Sequence, residues 1–150
     1  MINYTAPDLT QHPPRSVRTR LGGCVHLPRL LDKARAFVAG TNGEYNYDCP
    51  LDKRFWEFSG LKADEFLAAV KTGKNDTEML AWVTENLRPR RTLWEVEAWS
   101  NWLANFAPGD VKRHRIFADE LEKHAPGRED LRTIFDRLDF DDYVSFGGRA

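Results

Sequence analysis

The chain has 150 residues, 41% of them apolar, and a net charge of −1. That length suits one domain with a core of its own, and 5 Trp and 9 Phe exclude a disordered chain. A balance so close to neutral supplies no global field for nucleic acid or an anionic membrane.

Residues 1–26 are predicted to form an extended arm packed on a single helical domain, 27–150. Pro7, Pro13, Pro14 and the pair Gly22-Gly23 interrupt regular structure there. The first helix begins near Pro28, which suits a first turn because its missing N–H is not needed. Leu27, Leu30, Leu31, Ala34, Phe37 and Val38 form its apolar stripe, and Gly40 and Gly43 end it. Between there and Pro50, the alternation around Tyr45 and Tyr47 predicts a short extended piece.

A second helix opens at Asp48 or Cys49 and carries Leu51, Phe55, Trp56 and Phe58 up to Gly60. A third covers Ala63 to Lys71. Asn75-x-x-Glu78 and Thr92-x-x-Glu95 have capping-box spacing and start a fourth and a fifth. The fifth sets Trp99, Trp102, Leu103 and Phe106 at the spacing of a core stripe, with Trp94 off that face and free to meet a partner. A sixth, with Pro108 available to its first turn, turns Val111, Phe117, Leu121 and Ala125 inward. A last helix runs from about Arg128 to Leu138. The Asp- and Gly-rich end does not extend it, and Tyr143–Phe146 is expected to pair with Tyr45–Tyr47. The fold class is therefore mainly α, a bundle of about six or seven helices with one short two-stranded element.

No nucleophile elbow, phosphate loop, dinucleotide fingerprint or H-E-x-x-H motif is present. Cys24 and Cys49 lack C-x-x-C spacing and read as reduced thiols, and no base for Cys49 can be located. Glu120 and His124 sit one turn apart, but two ligands do not make a metal site. No metal and no cofactor are expected. The start has neither the basic nor the apolar region of a leader, and no run nears the roughly 18 apolar residues of a membrane span. A cytoplasmic location follows by elimination.

Charge is nevertheless uneven, with basic residues gathered in the first forty and acidic ones near the end. On the 28–39 helix, Arg29, Asp32 and Arg35 are three apart and share a flank with Lys33. That flank is an ordinary ion-pair surface, or else a rigid fork for an anion. Tyr45, Tyr47, Asp52 and Tyr143 lie in Gly- and Pro-punctuated segments, where binding residues often sit. The candidate ligand-binding set is thus Arg29, Asp32, Arg35, Tyr45, Tyr47, Asp52 and Tyr143. A small anionic ligand is the expected partner. A non-catalytic interaction or homo-oligomerisation domain is the alternative, with nucleic acid and membrane disfavoured.

Four segments resemble a bacterial family known only as a domain of unknown function. They are Pro-Pro-Arg-Ser-Val-Arg-x-x-Leu-Gly-Gly (13–23), Leu-x-Arg-x-x-Asp-Lys-Ala-Arg-Ala (27–36), Gly-Glu-Tyr-x-Tyr-x-Cys-Pro-Leu-Asp (43–52) and Asp-Asp-Tyr-Val-Ser-Phe-Gly-Gly (141–148). The resemblance covers nearly the whole chain and implies a small, mainly helical, stand-alone cytoplasmic protein. It implies no activity, cofactor or catalytic residue.

Overall fold

The computed structural model describes residues 4–149. Among them are seven helices and one two-stranded antiparallel sheet, the mainly α architecture predicted. The chain divides into two compact units, Met1–Ser100 and Asn101–Ala150.

In the first unit, Gly22 and Gly23 turn the chain between β1 (Arg20–Leu21) and β2 (Cys24–Val25) at φ 57° and 78°. A two-residue hairpin of this kind needs positive φ at both central positions, which glycine adopts without strain. The sheet therefore lies inside the 1–26 arm. It does not join Tyr45–Tyr47 to Tyr143–Phe146: the former segment is turn and irregular backbone, and Tyr143 to Ser145 are helical. Leu9 and Val17 anchor the arm in the core, and Leu9 N–H donates to Thr41 O at 2.8 Å.

Helix α1 (Leu27–Ala39) has no solvent face over its first ten residues. Leu27, Leu30, Leu31 and Ala34 are buried as the apolar spacing requires, but so are Arg29, Asp32, Lys33 and Arg35. Phe37, predicted inward, is 49% exposed, because burial of the helix ends at Ala36. Helix α2 (Pro50–Ser59) takes Cys49 as its N-cap and Gly60 as its C-cap. Gly60 is held at φ 70° so close to the next loop that a Cβ there would lie 1.9 Å from Arg88 O.

Helices α3 (Ala63–Lys71) and α4 (Asp76–Asn86) follow. The Asn75 box forms as predicted: Asn75 N–H donates to Glu78 Oε2 at 2.9 Å and Glu78 N–H to Asn75 Oδ1 at 3.0 Å. Helix α5 (Leu93–Ala104) starts from the Thr92–Glu95 box. Leu27, Leu30, Leu31, Phe55, Phe66 and Met79 form the centre of the core, with Trp56, Trp82 and Trp99 packed around it.

In the second unit, α6 (Val111–His124) is capped by Asp110, whose side chain accepts from Arg113 N–H at 2.8 Å, and Pro108 lies before its first turn. Phe117 and Ala125 are buried, whereas Val111 is exposed at the start of the helix. Trp102, predicted in the core stripe, is exposed against Phe106. The last helix, α7 (Ile134–Ser145), begins and ends later than the composition predicts. Its start is fixed by a Thr133–Asp136 capping box, with Thr133 N–H donating to Asp136 Oδ2 at 2.8 Å and Asp136 N–H to Thr133 Oγ1 at 3.1 Å. Phe140 and Val144 continue an inward stripe towards Ala125 and Leu131, which carries the helix through Asp139, Asp141 and Asp142. Gly147, at φ 93°, marks its end.

Candidate functional site

The polar side chains of α1, themselves buried, divide between two clusters. In the first, Asp32 does not pair along the helix flank as its spacing predicts; it is taken by Arg15 of the arm. Arg15 N–H donates to Asp32 Oδ2 at 2.9 Å, and its guanidinium reaches Asp32 Oδ1 at 2.8 Å and Asp76 Oδ2 at 2.6 Å. Arg35 donates to Asp76 Oδ1 at 2.7 Å, and to Tyr4 O and Lys74 O at 3.1 Å each. Burial by itself would raise the Asp76 carboxyl; the hydrogen bonds from Arg15 and Arg35 outweigh it and hold the group below its ordinary value. Arg29 donates to Arg15 O at 3.3 Å and lies with its guanidinium carbon 5.4 Å from the Tyr45 ring centre, a cation–π distance.

The second cluster joins α1 to the start of α2. Lys33 Nζ donates to both oxygens of Asp52 at 2.8 Å, to Asn46 O at 3.0 Å and to Cys49 Sγ at 3.2 Å. Asp52 also accepts from Cys49 N–H at 3.2 Å and pairs with His26 Nε2 at 2.8 Å. His26 and Asp52 are each 0% exposed. Burial would raise Asp52, but the His26 hydrogen bond and the Lys33 charge dominate and hold it at about 2. Desolvation lowers His26, with Asp52 only partly opposing it, so the imidazole is neutral at pH 7. With Asp52 ionised, Nε2 carries the proton. Nδ1 is then an acceptor, and it has no hydrogen-bond partner among the described residues. His26 also holds φ at 68° as the N-cap of α1, an uncommon backbone state for a residue with a side chain.

Of the predicted set, Arg29, Asp32, Arg35, Tyr45, Tyr47 and Asp52 all lie in the first unit and border these clusters. Tyr47 is aimed elsewhere: its hydroxyl donates to Ala63 O at 2.7 Å and its ring stacks on Phe37. Burial, followed by the nearby carboxylates of Asp52, Asp48 and Asp64, pushes its phenol above the ordinary range. Tyr143 belongs to α7 of the second unit and is 58% exposed.

A family model matches residues 11–144. The chain belongs to the DUF5069 family, a domain of unknown function. Curated proteins give no match. The DUF5069 match takes in Arg15, His26, Arg29, Asp32, Lys33, Arg35, Cys49, Asp52 and Asp76 and most of each unit.

Arg15, His26, Lys33, Cys49 and Asp76 are the cluster members absent from the predicted set. Asp52 at the third position after Cys49 is a capping spacing, so that link is legible in the sequence. The contacts of Arg15 and Asp76 with α1 cross long stretches of chain and carry no local signal. Among the described residues, no three His, Cys, Asp or Glu side chains are arranged to hold a metal ion, and no helix is long and apolar enough to cross a membrane. Within the second unit, α6 borders a groove of about 240 Å³ walled by Phe117, Leu121, Arg128 and Leu131. Glu120, paired in the sequence reading with His124, instead forms an ion pair with Arg137.

Proposed function

We propose that this DUF5069 chain is a small-molecule-binding module whose ligand carries an anionic group, met in the first unit where α1 faces the 43–52 segment. The observation that carries this reading is the double contact between them. Arg29 stacks over Tyr45, and Lys33 is fixed between Asn46, Cys49 and Asp52 at the first turn of α2. Two cationic side chains and the positive end of a helix thus border one stretch of chain, and each favours negative charge. Both side chains are themselves buried and already fixed by these contacts, so binding costs little reordering.

The test is a titration with inorganic phosphate, sulfate and short carboxylates at constant ionic strength, followed by amide chemical shifts. Saturable shifts confined to residues 43–52 are expected, weakened at least about tenfold by Tyr45→Ala, the loss of one good contact. The reading fails if millimolar anion leaves those amides unmoved or shifts surface residues indiscriminately.

A specific observation also favours the interaction-domain alternative. Trp94 is 69% exposed beside exposed Leu93 in the first turn of α5. Exposed tryptophan of this kind is typical of binding hot spots. If it serves self-association, light scattering will show a concentration-dependent mass that Trp94→Ala abolishes; a constant monomer mass for the wild type sinks the idea.

A further inference from the structure

The two cysteines occupy opposite environments. Cys24 is buried in the first-unit core, and burial pushes its thiol up to about 12. Cys49 is partly exposed, flanked by exposed Asp48 and Pro50. Its sulfur belongs to a hydrogen-bonded chain running from His26 through Asp52 and Lys33 to Sγ. An ammonium has three N–H groups. Around Lys33 stand four acceptors for those three: both Asp52 oxygens at 2.8 Å, Asn46 O at 3.0 Å and Cys49 Sγ at 3.2 Å. The sulfur therefore lies within hydrogen-bond reach of a fixed cation. Cys49 is also the N-cap of α2, with extended backbone at φ −73° and ψ 170°. The unpaired N–H groups of a helix's first turn gather at that end.

We propose that Cys49 is a covalent modification site that undergoes thiol–disulfide exchange with small disulfides. Sγ attacks one sulfur of the disulfide. A new S–S bond forms to Cys49 as the old one breaks, and the departing sulfur takes up the proton that Cys49 gave up. No further oxidant is needed. Negative charge on the attacking sulfur is met by Lys33, itself locked by Asp52, and by the start of α2. Cys24, enclosed in the core, stays unmodified. The inference does not depend on an anionic ligand being bound.

The experiment treats the full-length protein with a neutral probe, hydroxyethyl disulfide, and with an anionic one, oxidised glutathione, at pH 7. Peptide mass mapping reads the site and the rate. The expected result is one adduct, on Cys49, formed at least about tenfold faster in the folded protein than in the same protein in urea, the size of one charge-assisted contact. Cys24→Ala keeps that rate. Lys33→Met lowers it about tenfold where circular dichroism shows the fold intact; if that variant unfolds, the folded-to-urea rate ratio of the wild type decides. Reaction at Cys24 first, or no acceleration by folding with the neutral probe, overturns the proposal. Acceleration with oxidised glutathione alone also overturns it, since that pattern belongs to anion binding and not to the sulfur.

Discussion

Replacing Asp52 by Asn should cost the first unit about 2–5 kcal/mol, a range bounded by two arguments from the structure. The lower bound comes from proton linkage. A carboxyl that titrates at 3.8 in the unfolded chain and at about 2 in the fold favours folding by about 2 kcal/mol once ionised, because protonation is resisted only in the native state. Asparagine in the same place is neutral as the protonated acid is, so a loss of about this size is expected. The upper bound comes from the partner left behind. Lys33 is buried, and removing one member of a buried pair typically costs 3–5 kcal/mol because the other charge stays desolvated. Amide hydrogen exchange in α1 reads the first unit directly, without assuming that the whole chain unfolds in one step. The same assay carries a pH signature. The folded value of Asp52 lies below the unfolded one, so its contribution is complete above about pH 4 and disappears as pH falls through 3.8 towards 2. Asp52→Asn should lack that limb. A loss below about 1 kcal/mol, or an acid limb unchanged in the variant, would show that Asp52 does not organise the cluster.

Desolvation lowers His26 below 6.5, so the unfolded chain takes up a proton that the buried ring refuses; first-unit stability should decline as pH drops below about 6.5, and His26→Asn should flatten that slope in urea titrations at pH 7.5 and 5.5. Gly60→Ala combines a positive φ with a Cβ placed against Arg88 O and should lower stability by about 2 kcal/mol or more, read as a fall in the urea midpoint; an unchanged midpoint would mean that the loop simply moves away. Thr133→Ala removes the α7 cap and should cost about 1 kcal/mol, seen as faster amide exchange in α7 while α1 stays protected.

Local signals in the chain gave the helices and not their surroundings. Asn75–Glu78, Thr92–Glu95 and the Ala63 to Lys71 stripe are written within a few residues of one another, and each formed in place. Thr133-x-x-Asp136 is the same kind of signal with aspartate in the distal position, and reading it would have placed α7 correctly. The hairpin at Gly22-Gly23 was likewise visible as a glycine pair, but its strands are two residues each, too short to show alternation. On α1 the charged residues read as a solvated flank, because i,i+3 spacing describes one helix in water. Arg15, Asp76 and the 43–52 segment reach that flank from distant positions in the chain and bury it. Lys33 as the cation beside Cys49 depends on that burial.

The burial of four charged residues on α1 also bears on why the chain keeps them. Well-packed apolar side chains often serve stability as well as a buried ion pair does, so stability alone is weak grounds for such a network. What apolar packing does not supply is partners for backbone that forms no ladder. The arm before β1 and the stretch from Gly43 to Cys49 are mostly turns and irregular backbone, so their carbonyls have no ladder to supply donors. Lys33 and Arg29 supply them, to Asn46 O and Arg15 O, while Arg15 returns a bond to Pro28 O. The side chains of α1 thereby fix where two segments without secondary structure run, and one of those segments delivers Cys49 to the start of α2. Support for the backbone and orientation of the thiol converge on a single ammonium. If so, loosening Lys33 should raise amide exchange across 43–49 and slow thiol exchange at Cys49 together. A variant that separates these two effects would show that they have different causes.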